Sequence, residues 1–164
     1  MFNVLYYSWL GEERSVRLLL EAVQGMAGIA LTLAGRGELE TWVGEAAAKN
    51  RSINFLGWLK MSDLESVIGK ADLIPSLYEP RTRNAVMATP GKLLTAMSLS
   101  IPSLVPRGTY QAEIVEKYHL GIVVDWTDVT DLRKAMQRLA NDEDLYSALA
   151  SPSPRAFQSF FSGR

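Results

Sequence analysis

Short runs of consecutive apolar residues alternate along this chain with longer stretches in which apolar positions recur every three to four residues. The first run, Phe2-Asn3-Val4-Leu5-Tyr6-Tyr7, is aromatic and branched and suits a strand; residues 14–24 then place Val16, Leu19, Leu20 and Val23 at helical spacing. Residues 29–34 form a second apolar run closed by Gly35-Arg36-Gly37, and residues 38–49 carry Leu39, Trp42, Val43 and Ala46 on one side. Residues 52–56 predict a third strand. Ser62 then predicts a helix N-cap, with Glu65 at the capping-box position and the helix running to Lys70.

The next stretch, Asp72-Leu73-Ile74-Pro75-Ser76-Leu77-Tyr78-Glu79-Pro80, predicts a fourth strand ending in a carboxylate between prolines. A polar loop leads from there to Thr89-Pro90-Gly91-Lys92, which opens a helix over Leu93-Leu94-Thr95-Ala96-Met97. Residues 101–105 predict a fifth strand, 110–118 a helix with Ile114 and Val115 inward, 121–125 a sixth strand, and 128–140 with 143–150 a closing helical pair. Nearly all-apolar strands separated by amphipathic helices require a parallel sheet covered on both faces, so the fold class is α/β, doubly wound, with about six strands. The expected organisation is one domain over residues 1–150, with residues 151–164 a linker or tail in which Pro152 and Pro154 stop the helix and 156–161 add a short apolar patch.

Composition narrows the chemistry. Seventeen basic against eighteen acidic residues give no electrostatic case for nucleic acid or an anionic membrane as partner. Cysteine is absent and His119 is the single histidine, so thiolate or His-rich metal sites are excluded and His119 takes no role. No apolar run approaches the ~20 residues of a membrane span, and Met1 leads straight into the first strand; the expectation is a cytoplasmic protein.

In an open parallel sheet ligands sit beyond the carboxyl ends of the strands, and a helix start attracts phosphate. Lys92 stands in such a first turn, where a cation opposes the helix dipole; its plain alternative is a solvated surface lysine.

Taken in order, Ser8-Trp9-Leu10, Gly11-Glu12-Glu13, Arg14-Ser15, then Gly35-Arg36-Gly37, Phe55-Leu56-Gly57, Ala71-Asp72 and Pro75-Ser76-Leu77-Tyr78-Glu79, the chain resembles the carboxy-terminal, donor-binding half of the retaining GT-B glycosyltransferases of the glycogen synthase-like group, the glycosyl transferases group 1. The resemblance runs from Asn3 to about Leu149, and the order of the motifs carries it, since each recurs alone by chance. It implies a Rossmann-like half that binds a nucleotide-sugar donor for hexose transfer, without metal or other cofactor. The partner it implies is a missing N-terminal acceptor-binding half, through which alone any peripheral membrane association would arise.

By that resemblance Arg14 holds the donor diphosphate, and Gly57, Trp58 and Leu59 lie where the nucleotide base is sandwiched. Glu79 takes the place of the first of two family glutamates, near the donor sugar, and is the candidate catalytic residue; its alternative is a loop carboxylate paired with Arg81 or Arg83. Pro90, Gly91 and Lys92 match the branch with Pro-x-Lys before the helix, and the second glutamate, which holds the ribose, falls at Thr95. A hydroxyl offers one weak partner in place of a carboxylate that accepts from two ribose hydroxyls. Trp9 stands where the family commonly has arginine; it can line the cleft but cannot neutralise phosphate. Glu113 matches a family glutamate near the cleft or is an ordinary helix-surface acid. Two readings follow: a donor-binding domain that turns nothing over alone, and a non-catalytic Rossmann-like interaction module with a degenerate donor site.

Overall fold

A computed structural model of the chain describes residues 1–151; the tail predicted over 152–164, including the apolar patch at 156–161, lies outside the described residues. Strands β1 (Phe2–Trp9), β2 (Ile29–Arg36) and β3 (Ile53–Phe55) form one parallel sheet, and β4 (Ser103–Pro106) and β5 (Gly121–Val124) a second parallel pair. Val4, Leu31 and Ile53 share one row of the first sheet, and Trp9 stands opposite Arg36 at its carboxyl edge.

Residues 72–76 join the two sheets. Leu5 N donates to Leu73 O at 2.9 Å on the β1 side, while Ile74 N and Ser76 N donate to Pro102 O and Leu104 O at 3.1 and 2.8 Å on the β4 side. The fourth strand predicted here is therefore in the right place but is reduced to a single bridge, Val4 to Leu73. Pro75 has no amide to give to a ladder. Side chains hold the segment instead: Ser103 Oγ donates to Ile74 O (2.6 Å), Gln111 Nε2 to Ser76 O (2.9 Å) and Tyr6 Oη to Leu77 O (3.0 Å).

Helices cover both faces. Val4 and Tyr6 point into a core with Leu19, Leu20 and Val23 of α1 (Val16–Val23), Val43 of α2 (Glu40–Lys49) and Leu132, Met136 and Leu139 of α7 (Val129–Asn141). Leu5 points the other way, onto Ile68 of α3 (Met61–Ile68), Ile74 and Ala96 of α5 (Gly91–Ser98). β1 is thus buried on both faces, and at roughly 1.5–3 kcal/mol for each fully buried aliphatic side chain this explains why it reads as a continuous apolar run. A third cluster packs Val105 of β4 against Leu93 and Met97 and against Ile114 and Val115 of α6 (Tyr110–Tyr118).

Caps place several boundaries. Asp128 Oδ1 accepts from Thr130 N (2.8 Å) before α7, Asp142 Oδ1 from Leu145 N (2.9 Å) before α8 (Glu143–Ala150), and Thr109 Oγ1 from Ala112 N (3.3 Å) before α6. Ser62 is not the cap predicted for α3: the helix begins at Met61 behind an extended Lys60, with no side-chain cap, and Ser62 falls exposed within the first turn. Gly37, in the turn after β2, has φ 153°, and a Cβ there would lie 2.6–2.9 Å from the Leu10 backbone, so only glycine lets this turn close against the end of β1. The polar loop predicted after Pro80 contains one further element, the five-residue helix α4 (Arg83–Met87), with Thr82 Oγ1 accepting from Ala85 N at 3.1 Å. No helix among the described residues is long and apolar enough to cross a membrane.

Candidate functional site

The carboxyl end of β1 feeds directly into a cavity of about 860 Å³. Its walls are Tyr7, Ser8 and Trp9 of β1, Glu13 and Arg14, Tyr78 and Glu79, the segment bearing α4, and Pro90, Gly91 and Lys92 at the start of α5. Three local devices bring these parts together. A single 3₁₀ turn at Glu12–Arg14 ends at Ser15, whose φ of 54° reverses the chain into α1. The buried Tyr6 hydroxyl lies 2.6 Å from Arg14 O and 3.0 Å from Leu77 O, tying the β1 loop to the segment that delivers Tyr78 and Glu79. Glu79 N then donates to Glu13 O at 2.9 Å.

Lys92 reaches back over β1. Its Nζ donates to Ser8 Oγ at 3.3 Å and lies 5.3 and 5.9 Å from the ring centres of Tyr6 and Tyr7. Burial, helped by the neighbouring Arg14 charge, brings its pKa down to about 8. A long bond to a neutral hydroxyl and two ring faces offer this ammonium far less than water would. An anion in the cavity would supply what is missing.

Arg14 and Tyr78 have unfilled capacity too. Arg14 Nε lies 3.3 Å from Glu13 Oε1, an ion pair that leaves the buried Nε–H without a hydrogen-bond acceptor. The Tyr78 hydroxyl is buried and unpartnered, and burial pushes its pKa up to about 12, so it stays a donor at neutral pH. Buried donors without acceptors are costly, and the two residues that carry them here, Arg14 and Tyr78, both border the cavity. Glu79, mostly buried, is ion-paired with the exposed Arg81. Three cations, Arg14, Arg81 and Lys92, thus line the cavity against two carboxylates, Glu13 and Glu79.

Of the residues singled out from sequence, Trp9, Arg14, Glu79, Pro90, Gly91 and Lys92 line this cavity. Trp9 does so while half exposed. Thr95, half-buried within α5, is outside the lining; the Tyr7 hydroxyl beside the cavity has its pKa raised chiefly by burial, which Thr95 opposes. Gly57, Trp58 and Leu59 are outside the lining but leave the same edge of the sheet: Gly57, at φ 66°, accepts from Gly35 N at 2.8 Å, and Arg36 lies 5.6 Å from the exposed Trp58 ring. Glu113 is exposed on α6 and outside the lining, and His119 closes that helix in the left-handed conformation. Ser8, Tyr7 and Tyr78 were not separable from strand and spacer residues in the sequence; Tyr78 occupies a variable position of the Pro-Ser-x-x-Glu pattern and could be recognised only once its hydroxyl was seen to be buried alone. Among the described residues no group of three or more His, Asp or Glu side chains could hold a metal ion.

Comparisons with known proteins bear on the family and the fold. The family model described as glycosyl transferases group 1 matches residues 2–142. No curated protein sequence matches the chain. Among solved structures, sucrose-phosphate synthase from Thermosynechococcus elongatus superposes with a TM-score of 0.78 at 20% identity, over 98% of this chain and 41% of its own. HepE of Anabaena, crystallised with UDP and glucose, superposes at 0.73 and 20% identity, over 99% of this chain and 44% of its own. The carboxy-terminal domain of LpcC from Francisella tularensis superposes at 0.76 and 14% identity, over 98% of this chain and 86% of that domain. The chain therefore has the fold of one Rossmann-like half of a GT-B protein and spans under half the length of HepE and the synthase.

Proposed function

This chain belongs to the glycosyl transferases group 1 family, and from that premise we propose that it is the donor-binding half of a GT-B glycosyltransferase, taking a nucleotide sugar in the cavity at the carboxyl edge of its sheet. The observation that carries the reading is the convergence on one cavity of Arg14 from the turn after β1, Glu79 from the segment that joins the sheets, and Lys92 from the start of α5. HepE was crystallised with UDP and glucose, which suits a cavity of this kind.

Each role follows from charge and position. Arg14 offers a guanidinium that stays ionised and can take two phosphate oxygens. Lys92 adds a cation poorly solvated until a phosphate arrives, and α5 adds the Gly91 and Lys92 amides, since those of Leu93 and Leu94 already donate to Pro90 O. When the bond from the anomeric carbon to the diphosphate breaks, negative charge develops on the leaving oxygen, and these groups are already in place to stabilise it. Glu79 lies nearest the donor sugar in this reading, and the Gly57-Trp58-Leu59 turn meets the base. The acceptor would be presented by a second half, and the transferred unit is a hexose.

A second reading rests on Thr95 and Trp9: without a carboxylate for the ribose, and with indole in place of a cation, the domain serves as a non-catalytic interaction module. Thermal unfolding in the presence of UDP, GDP and ADP separates the two. A ligand held at ten times its Kd stabilises by about 1.4 kcal/mol, a rise of roughly 3–6 °C in Tm for a domain of this size. A rise that disappears in Arg14→Gln supports donor binding. No rise with any nucleoside diphosphate at millimolar concentration supports the interaction module.

A further inference from the structure

We infer that Arg81 is a phosphate ligand held in reserve by Glu79, so that the candidate catalytic carboxylate and the donor diphosphate compete for one guanidinium. The inference rests on the donor-binding reading above. Arg81 and Glu79 both line the cavity and form an ion pair, but they are held very differently. The Glu79 side chain is only 18% exposed and its amide is fixed to Glu13 O, whereas the Arg81 side chain is 73% exposed and free to swing about its long stem. The backbone favours proximity, because Arg81 N donates to Glu79 O at 2.9 Å.

Exposure decides the energetics. An ion pair with one solvated partner contributes little, so the guanidinium leaves Glu79 at small cost. A diphosphate carries more negative charge than a carboxylate and offers the same planar fork a second pair of oxygens, so it is the stronger competitor. Arg81 also opens the segment between Pro80 and Pro90 that carries α4, and Thr82, Asn84, Ala85 and Ala88 of that segment line the same cavity. Transfer of Arg81 from Glu79 to phosphate then does two things together: it adds a third cation to the leaving group, and it frees the Glu79 carboxylate to face the sugar.

Titration of the 164-residue chain with inorganic pyrophosphate by calorimetry tests this through four proteins: wild type, Glu79→Gln, Arg81→Gln and the double variant. Glu79→Gln releases Arg81 and should tighten pyrophosphate up to about fivefold, the range of one exposed ion pair. Arg81→Gln should weaken it several-fold, and in that background Glu79→Gln should have no further effect. Unchanged or weaker binding in Glu79→Gln, or equal effects of Glu79→Gln with and without Arg81, overturns the inference. Binding that depends on Arg14 but ignores Glu79 and Arg81 overturns only this inference and leaves the donor site standing; no binding by wild type overturns both.

Discussion

Replacing Lys92 with methionine should make the unliganded protein more stable while weakening its hold on phosphate. Methionine keeps the length and most of the apolar stem, so the substitution chiefly removes a charge. In the folded chain burial and Arg14 hold the Lys92 pKa at about 8, against an ordinary 10.5. At roughly 1.4 kcal/mol for each tenfold change in proton affinity, carrying the proton there costs the folded state about 3 kcal/mol. The lost bond to Ser8 Oγ, long at 3.3 Å and neutral on one side, returns about 1 kcal/mol of that. The net gain is about 2 kcal/mol near pH 7, some 4–8 °C in Tm.

The sign of the pH dependence is fixed by the direction of the shift. Below pH 8 the lysine is protonated in both folded and unfolded chains, and the full penalty applies. Between about pH 8 and 10.5 the unfolded chain binds more protons than the folded one, so wild-type stability rises with pH and the variant's advantage shrinks. The hydroxyls of Tyr6, Tyr7 and Tyr78 are shifted up and hold their protons longer when folded, which acts the opposite way at higher pH; subtracting the two profiles removes them. Urea denaturation of both proteins at pH 7, 8, 9 and 10 measures the difference. A methionine variant less stable than wild type at pH 7, or a difference that stays flat across this range, would refute the account of Lys92 as an under-solvated cation.

Tyr6→Phe should cost about 1–2 kcal/mol in denaturant unfolding, because Leu77 O and Arg14 O lose their shared buried donor; a value near zero would mean the hydroxyl does not tie the two loops together. Thr95→Glu, which puts a carboxylate on α5 where the family resemblance expects the ribose to be held, should tighten UDP several-fold and leave pyrophosphate unimproved; equal changes for both ligands would place Thr95 away from any ribose.

The regular parts of this fold were legible because independent signals agreed. Helices α6 and α8 were expected to the residue, where Thr109 and Asp142 cap an apolar period that continues without interruption. The reading went astray wherever side chains from distant segments set the local backbone. Residues 72–77 look like a strand because they are apolar, yet Pro75 interrupts the ladder and the segment depends on Ser103 and Gln111, which lie far along the chain. Helix α4 is a single capped turn with no buried residue, too short to leave an apolar period. At the site, Arg14, Glu79, Lys92 and the helix start could be named from sequence because their chemistry is local, whereas Glu13 and Arg81 were not singled out as lining it. Tyr7, Ser8 and Tyr78 could not: a tyrosine or serine at the end of an apolar run reads as packing until its hydroxyl is found facing a cavity or left without a partner.

The junction between the two sheets has a further consequence. Because so little regular pairing crosses it, the direction in which Glu79 leaves the protein body depends on three remote side-chain anchors as well as on its few backbone bonds. Gln111 sits on α6, completely buried, with its carboxamide oxygen unpartnered and its amide nitrogen donating to Ser76 O. Exchanging it for leucine leaves the cavity's own walls untouched while loosening the tether that aims the carboxylate. The aim of the cavity's carboxylate can therefore be tuned at positions that do not line the cavity.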